Sequence, residues 1–208
     1  MNLDKIFDLL QEARSLGVHA APAKGLNNVI LFSYYNPLYA YGWDKLIKQC
    51  QAHQVRGVLI PDLPVDEAEI LSKKFKAAGL DLVLLAAITS TEERLRRIYD
   101  LSSPFVYLVS RIGITGSDSD NASLRGAERS EATWQSPGAV IEKLKSFGNK
   151  PIALGFGIDS RAKVEEAYQA GADMAIVGTK AVRVLENCDE SLNCFKEFIK
   201  TLKAPAKV

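Results

Sequence analysis

Two glycine-containing stretches in the last third of the chain decide the fold: LGFGI at residues 154–158 and VGTK at residues 177–180. Each comes at the end of a short apolar run that predicts a buried strand. In a (β/α)8 barrel, phosphate is commonly held by the loops after the last two strands and by the N-terminus of a short helix. An open doubly wound sheet would instead carry its glycine fingerprint after the first strand, where this chain has YYNP at residues 34–37. The sequence therefore favours a barrel.

The rest of the chain alternates short strand-like runs with single helices. Strands are predicted near residues 29–34, 57–60, 81–86, 104–109, 151–154 and 174–177. Helices are predicted near residues 3–13, 43–53, 65–78, 91–99, 138–147 and 160–170, from residue 179 onward, and near residues 189–202. A spacing of roughly 20 to 30 residues between strands implies right-handed parallel βαβ units. We expect an α/β fold of the (β/α)8 TIM-barrel type, incomplete, with six parallel strands in a single domain over residues 1–208.

The composition excludes several classes of protein. Hydrophobic residues make up 47% and charged residues 25% of the 208 residues, which is typical of a globular domain and not of a disordered chain. The net charge of +1 supplies no field that would hold nucleic acid or an anionic membrane, and no apolar run is long enough to span a bilayer. We therefore expect neither nucleic-acid binding nor membrane insertion.

The cysteines and histidines are few and do not form ligand patterns. Cys50, Cys188 and Cys194 have no metal-ligand spacing, and their odd number argues against a disulfide framework. His19 and His53 stand far apart in the sequence, which leaves little material for a zinc site or a histidine-activated nucleophile. We expect no bound metal, and reduced thiols in a cytoplasmic protein.

Glycines at strand ends form the candidate phosphate site. Gly157 leaves backbone N–H groups open to a ligand, because it has no Cβ. Gly178 and Thr179 open a helix, whose free N–H groups and dipole favour an anion. A further glycine pair in the stretch GITG adds Gly116. A tight turn would use the same residues, but glycines at two successive strand ends favour phosphate binding.

The carboxyl ends of the other predicted strands carry polar and aromatic candidates for ligand binding. Asp62 directly follows a predicted strand, where it is either a base or ligand contact, or else a helix N-cap or turn anchor. Tyr34 and Tyr107 are expected at strand ends, where a phenol can donate to a ligand. With Phe32 and Leu59, Tyr34 forms a candidate apolar mouth for a flat ring, although Phe32 and Leu59 fit an ordinary core equally well.

Five blocks of the sequence resemble the tryptophan synthase α subunit family in order and spacing. They are YYNP at 34–37, GVLIPDLP at 57–64, YLVSRIGITG at 107–116, GFGI at 155–158 and VGTKAV at 177–182. The resemblance implies cleavage of indole-3-glycerol phosphate to indole and glyceraldehyde 3-phosphate in tryptophan biosynthesis, by a retro-aldol step without metal or organic cofactor. It also implies an α2β2 assembly, with pyridoxal phosphate in the β subunit only.

The resemblance also assigns roles to residues of this chain. The phosphate-binding residues are Gly116, Gly157, Gly178 and Thr179. The substrate-binding residues are Phe32, Tyr34, Leu59, Tyr107 and Thr115. The residues that face the β subunit are Asn36, Pro37, Asp62 and Pro64.

The chain departs from the family pattern at three places. It has no counterpart of the family's Glu-Leu-Gly-x-Pro-Phe-Ser-Asp-Pro block, whose Glu is the general acid/base and whose Asp holds the indole nitrogen. Its six strands therefore correspond to family strands 3–8, and no catalytic residue is assigned. Loss of a positioned proton donor typically costs ~10²- to 10⁴-fold in rate. Residues 118–135 are expected to be a disordered loop insertion, and residues 17–27 to be a longer link than usual.

The sequence leaves three functions to compare. The first is an α-type lyase whose activity is impaired in this shortened chain. The second is a non-catalytic α-like chain that binds phosphate and activates a β subunit. The third is a different phosphate-binding barrel lyase or isomerase with Asp62 as its base.

Overall fold

The computed structural model describes residues 2–15, 29–109, 136–155, 157–189 and 192–202. The expected loop insertion at residues 118–135 and the long link at residues 17–27 lie outside this part of the chain. The helices are α1 (Leu3–Ser15), α2 (Tyr35–Tyr41), α3 (Trp43–Ala52), α4 (Val65–Ala77), α5 (Glu92–Leu101), α6 (Pro137–Ser146), α7 (Arg161–Gln169), α8 (Thr179–Glu186) and α9 (Asn193–Leu202). The strands are β1 (Ile30–Phe32), β2 (Gly57–Leu59), β3 (Asp81–Val83), β4 (Leu85–Ala87), β5 (Val106–Val109), β6 (Ile152–Gly155) and β7 (Met174–Ala175).

The strands form two sheets, with the orders β1-β2-β3 and β4-β5-β6-β7. The pairs β1–β2, β2–β3, β5–β6 and β6–β7 are parallel, as the alternation of strands and helices predicts. Strands β2, β5 and β6 are buried along their whole length, which explains their uninterrupted apolar sequences. All six predicted strand regions are confirmed as strands.

The strand predicted at residues 81–86 consists of two strands, β3 and β4, which belong to different sheets. Between them, the N–H group of Leu84 donates a 2.9 Å hydrogen bond to the hydroxyl oxygen of Ser102. The hydroxyl group of Ser102 therefore satisfies the backbone N–H group that lies between the two strands. The described residues contain seven strands rather than six for this reason.

The chain divides into two compact units. The first comprises residues 1–85 and 100–104, and the second comprises residues 86–99 and 105–208. The first unit contains the sheet β1-β2-β3 with helices α1 to α4. The second unit contains β5, β6 and β7 with helices α6 to α9. The expectation of a single domain over residues 1–208 stays a prediction.

Helix α1 is fixed within the first unit by polar contacts of Asp4 and aromatic contacts of Phe7. Its N-terminus is capped by Asn2, whose side-chain oxygen accepts a 2.9 Å hydrogen bond from the N–H group of Lys5. Asp4 instead accepts a hydrogen bond from the hydroxyl group of Tyr41, and this bond holds the pKa of the Asp4 carboxyl below its usual value. Phe7 is 1% exposed and packs with its ring centroid 5.2 Å from that of His53. The amphipathic pattern of residues 3–13 therefore has a defined partner surface.

Helix α2 has no counterpart among the predicted helices. Its sequence, YNPLYAY, lacks apolar residues at helical spacing, and Leu38 is its buried residue. Pro37 fits because it lies in the first turn, where N–H groups have no intrahelical acceptor. No element is predicted at residues 35–41, and the structure has two helical turns there.

The starts of β2 and β3 are joined by an ion pair and by a close backbone approach. Arg56 donates to Asp81 at 2.6 Å, and Ser103 donates to the second oxygen of the same carboxylate. Gly57 lies directly opposite Asp81 in the parallel register. A Cβ at position 57 would lie 2.6 Å from the backbone oxygen of Asp81 and 2.8 Å from its Cβ. Only glycine allows this approach without displacing the backbone of β3.

The structure corrects the expectation for the cysteines. Cys188, just after α8, and Cys194, in the first turn of α9, form a disulfide with Cα atoms 5.8 Å apart. Cys50 is free and buried, and burial raises the pKa of its thiol to about 12. The three cysteines therefore comprise one disulfide pair and one free thiol. Counting could not detect the pair, because the pairing depends on how the chain folds back between α8 and α9.

We predict that Gly57→Ala lowers the free energy of unfolding by about 2 to 3 kcal/mol, because the new methyl group meets backbone atoms that cannot rotate away. The control is Gly138→Ala in α6, where the nearest atom to an added Cβ is 3.7 Å away. This variant should stay within about 0.5 kcal/mol of the parent chain. Urea denaturation measures both values. Equal stability of the two variants would contradict the close approach at β2 and β3.

Candidate functional site

The carboxyl ends of β6 and β7 lie side by side in the second unit. Leu154 pairs with Ala175, and the N–H group of Ile176 donates to the backbone oxygen of Leu154 at 2.9 Å. Gly157 follows Leu154 by three residues, and Gly178 follows Ala175 by three residues. Parallel pairing in this register places both glycines at the same edge of the sheet. Both glycines are solvent-exposed.

Asp173 fixes this register at the opposite end of the two strands. Its N–H group donates to the backbone oxygen of Ile152 at 2.9 Å, and its carboxylate accepts from the N–H group of Ile152 at 2.9 Å. Lys145 of α6 forms an ion pair with the same carboxylate at 2.9 Å. A shift of β7 by one residue would break all of these contacts.

The N-terminus of α8 offers backbone donors at the same sheet edge. Helix α8 begins at Thr179, and Gly178 occupies the N-cap position without a side-chain hydrogen bond. Gly157 has a φ of 76°, in the left-handed region that favours glycine. Uncapped N–H groups at the start of a helix attract anions. The pairing of β6 with β7 thus places three of the four predicted phosphate-binding residues, Gly157, Gly178 and Thr179, at one sheet edge.

Tyr107 lies inside β5 rather than at its end, and its side chain reaches the last residue of β6. It is 5% exposed, and burial raises the pKa of its phenol, which therefore stays a protonated hydrogen-bond donor at neutral pH. A Cβ on Gly155 would overlap with the ring and the hydroxyl group of Tyr107. Gly155 is therefore the residue that gives the tyrosine ring its space. This role of Gly155 was not predicted, although a glycine at a strand end was the available signal.

The predicted apolar mouth is only partly formed within the first unit. Phe32 and Leu59 are paired residues of β1 and β2. Leu59 is 6% exposed and belongs to the core, whereas Phe32 is 61% and Tyr34 is 65% exposed. These two exposed rings lie at the carboxyl end of β1 and are available to an apolar ligand. Thr115 and Gly116, predicted for substrate and phosphate, lie outside the described residues.

Asp62 anchors a neighbouring helix. Its carboxylate accepts a 2.8 Å hydrogen bond from the N–H group of Tyr35, the first residue of α2. The hydroxyl group of Tyr35 donates at 2.9 Å to Glu67 in the first turn of α4, and this bond raises the pKa of the phenol. Of the two roles predicted for Asp62, a ligand contact or a turn anchor, this hydrogen bond matches the turn anchor. Tyr35 and Glu67 were not among the predicted residues, since they are 32 positions apart in sequence.

The four residues predicted to face a partner lie close to this anchor. Asn36 and Pro37 belong to the first turn of α2, and Asp62 and Pro64 belong to the connection from β2 to α4. All four are exposed. The two hydrogen bonds of Tyr35 hold the two segments together, and we call the surface formed by these four residues the α2 face.

A cluster of four aromatic side chains lies next to the α2 face. It consists of Tyr35, Tyr39, Trp43 and Phe75. The Tyr35 and Tyr39 rings stack with centroids 5.7 Å apart, and Trp43 contacts Phe75 at 6.1 Å. Tyr39 is 63% exposed and Phe75 is fully buried. The cluster therefore connects the surface of α2 with the core of the first unit.

Within the described residues, no group of three or more His, Cys, Asp or Glu side chains is arranged to hold a metal ion. Among the helices that the structure describes, none combines the length and the apolar character that crossing a membrane requires. These results apply to the described ranges alone.

The parallel sheets, the alternation of strands and helices and the glycine-rich strand ends define an α/β protein of the (β/α)8 TIM-barrel type. A family model for the tryptophan synthase alpha chain matches residues 1–207. The chain belongs to this family. The predicted resemblance and fold class are confirmed.

Curated relatives agree with the family match. A tryptophan synthase alpha chain from Picosynechococcus sp. is 38% identical over 177 residues, which cover 84% of this chain and 62% of the relative. One from Methanosarcina acetivorans is 35% identical over 186 residues, which cover 89% of this chain and 60% of the relative. One from Microcystis aeruginosa is 34% identical and covers 98% of this chain and 70% of the relative. The chain thus spans about three fifths of the length of the first two.

Solved structures give the same result for the fold. A mutant tryptophan synthase alpha-subunit from Pyrococcus furiosus superposes with a TM-score of 0.75 at 27% identity, covering 97% of this chain and 74% of the other. A tryptophan synthase complex from the same organism gives a TM-score of 0.74 at 26% identity, covering 97% of this chain and 73% of the other.

We predict that Gly155→Ala lowers the melting temperature by about 5 to 10 °C, because the new methyl group displaces the buried Tyr107 ring. Adding Tyr107→Leu should restore most of this loss, since leucine has no ring atoms at the overlapping positions. Adding Tyr107→Phe should not, because ring carbons also overlap. Circular dichroism melting curves compare the variants. Rescue by phenylalanine would show that the hydroxyl group alone makes the contact.

Proposed function

We propose that this protein is the α component of a tryptophan synthase and that it binds indole-3-glycerol phosphate for aldol cleavage to indole and glyceraldehyde 3-phosphate. The observation that carries the proposal is the position of Gly157, Gly178 and Thr179 at one sheet edge. Backbone donors at two adjacent strand ends and at a helix N-terminus match a phosphate dianion. Membership of the alpha chain family supports the choice of substrate.

Aromatic side chains support the indole half of the proposal. Tyr107 presents a protonated phenol beside Gly155 in the second unit. Phe32 and Tyr34 present exposed rings at the end of β1 in the first unit. Flat aromatic ligands are commonly held by apolar and aromatic side chains with a few polar groups that fix orientation. As the family resemblance implies, each of Phe32, Tyr34, Leu59, Tyr107 and Thr115 stays a proposed substrate-binding residue.

The proposed reaction needs a proton donor and acceptor that the 208 residues do not supply in the family's motif. They contain no Glu-Leu-Gly-x-Pro-Phe-Ser-Asp-Pro sequence. Asp62 is engaged with the N–H group of Tyr35 and holds α2 in place. We therefore expect the 208-residue polypeptide to bind the substrate phosphate but to turn it over slowly.

The proposal includes a β subunit that carries pyridoxal phosphate, and no cofactor in this chain. The α2 face is the proposed contact surface, since its four residues are exposed and are held together by Tyr35. The same surface favours the second candidate function, a non-catalytic α-like chain that binds phosphate and activates the β subunit. A cytoplasmic location belongs to the proposal, because a charged phosphate ester is retained inside the cell.

We predict that Gly178→Asp weakens binding of glycerol 3-phosphate about tenfold or more. The carboxylate stands at the N-terminus of α8, where it repels the anion yet remains a favourable helix cap. The site has room for the side chain, since no atom lies within 4 Å of an added Cβ. Isothermal titration calorimetry measures the affinity.

The matched control is Gly178→Asn, which has nearly the same shape without the charge. It should retain clearly more affinity than the aspartate variant. Equal affinity of the two variants would rule out an anion site at this helix. Far-UV circular dichroism checks that both variants fold like the parent chain.

The second prediction of this proposal concerns turnover. Indole release from indole-3-glycerol phosphate by the purified 208-residue chain should lie ~10²-fold or more below that of a full-length relative assayed alongside. A rate near ~1 s⁻¹ would contradict the expectation and would assign the proton transfer to residues within the chain. Adding a β subunit separates the two candidates. Activation of the β reaction without indole release identifies the non-catalytic partner.

A further inference from the structure

The disulfide between Cys188 and Cys194 joins the end of α8 to the start of α9. The Cα atoms are 5.8 Å apart, which is the usual separation for a disulfide. Cys188 is half-buried and Cys194 is exposed. The sulfur of Cys194 lies 3.9 Å from the backbone oxygen of Val184 in α8. The bond is therefore at the surface of the second unit, within reach of small thiols.

The two helices that this bond connects pack on each other, and α9 also packs on α7, but both stay at the surface. Helix α8 has eight residues and α9 has ten, and neither contains a buried side chain. Val182 and Leu185 of α8 are 54% and 40% exposed, and Ile199 of α9 is 40% exposed. Helices shorter than ~12 residues are marginal unless packing stabilises them. A covalent link between α8 and α9 should therefore have a large effect on their order.

We propose that Cys188 and Cys194 form a reversible thiol–disulfide pair whose oxidation orders the α8–α9 hairpin. Exposed disulfides that close short loops in proteins of reducing compartments are typically transient and redox-sensing rather than structural. Cys194 lies in the first turn of α9, where free N–H groups favour a thiolate. It is the cysteine that we assign as the attacking thiol.

The oxidant that we assign is a low-molecular-weight disulfide such as oxidised glutathione. The thiolate of Cys194 attacks one of its sulfurs, a mixed disulfide forms, and one glutathione thiolate leaves and takes up a proton. The thiol of Cys188 loses its proton to water, and the resulting thiolate attacks the Cys194 sulfur and expels the second glutathione thiolate, which takes up a proton. Two protein thiols are oxidised to one disulfide, and one glutathione disulfide is reduced to two thiols.

The consequence for binding rests on the proposed function. The N-terminus of α8 contributes Gly178 and Thr179 to the proposed phosphate site, so its order sets how well those donors are placed. We expect the oxidised chain to bind glycerol 3-phosphate about fivefold more tightly than the reduced chain.

The first experiment tests the pair without any ligand. The 208-residue chain is equilibrated in glutathione buffers from fully reduced to fully oxidised, trapped with iodoacetamide and analysed by peptide mass spectrometry. We expect an intramolecular Cys188–Cys194 link that forms and is lost reversibly. Cys50 serves as the internal control, because with a pKa of about 12 only roughly one thiol in 10⁴ is ionised at pH 8. A link that never forms, or that resists excess dithiothreitol, overturns the proposal.

The second experiment measures order by hydrogen exchange. Amides in residues 179–189 and 192–202 should exchange at least about threefold more slowly in the oxidised chain. The double variant Cys188→Ser with Cys194→Ser should match the reduced chain in both buffers, and Cys50→Ala should keep the redox difference. Protection of the double variant equal to that of the oxidised parent overturns the ordering effect.

The third experiment separates this inference from the proposed function. Glycerol 3-phosphate is titrated into the oxidised chain, the reduced chain and the double variant. Tighter binding by the oxidised chain alone supports the coupling, and equal binding by all three overturns it. Binding by none of them refutes the phosphate site and the coupling, while the reversible pair and its effect on exchange are decided by the first two experiments.

Discussion

The register between β6 and β7 is the constraint on which the candidate site depends. Asp173 makes two hydrogen bonds with the backbone of Ile152 and one ion pair with Lys145. Strand β7, which has only two residues, therefore has one favourable position along β6. A parallel strand displaced by one residue would turn its side chains to the opposite face. Because the register is fixed at one end of the strands, it also places Gly157 and Gly178 at the same sheet edge at the other end. Asp173, at the opposite end of the strands, thus determines where the residues of the proposed phosphate site lie.

The alternation of strands and helices could be predicted because most strands are buried on both faces. Runs such as Val106–Val109 and Ile152–Gly155 are apolar without interruption, and such runs are recognisable in sequence. The elements that were missed depend on hydrogen bonds between distant residues. The first N–H group of α2 is bonded to Asp62, and the break between β3 and β4 is satisfied by Ser102. No local pattern at positions 35–41 or 84 contains that information.

The candidate site was predictable to the extent that its residues act through the backbone. A glycine at a strand end and a threonine at the start of a helix can be recognised from the sequence alone. In the structure Gly157, Gly178 and Thr179 lie at one edge of the sheet. Contacts between side chains were not predictable. The space that Gly155 leaves for Tyr107 requires the pairing of β5 with β6, and the link between Cys188 and Cys194 requires the fold of the α8–α9 hairpin.

The aromatic cluster next to the α2 face contains a fluorescent side chain, the indole of Trp43. The chain has two tryptophans, and Trp43 lies with its ring 5.6 Å from Tyr35 and 6.1 Å from Phe75. Indole emission depends on local polarity and on energy transfer from nearby tyrosines. Trp43 is thus an intrinsic fluorophore close to the α2 face.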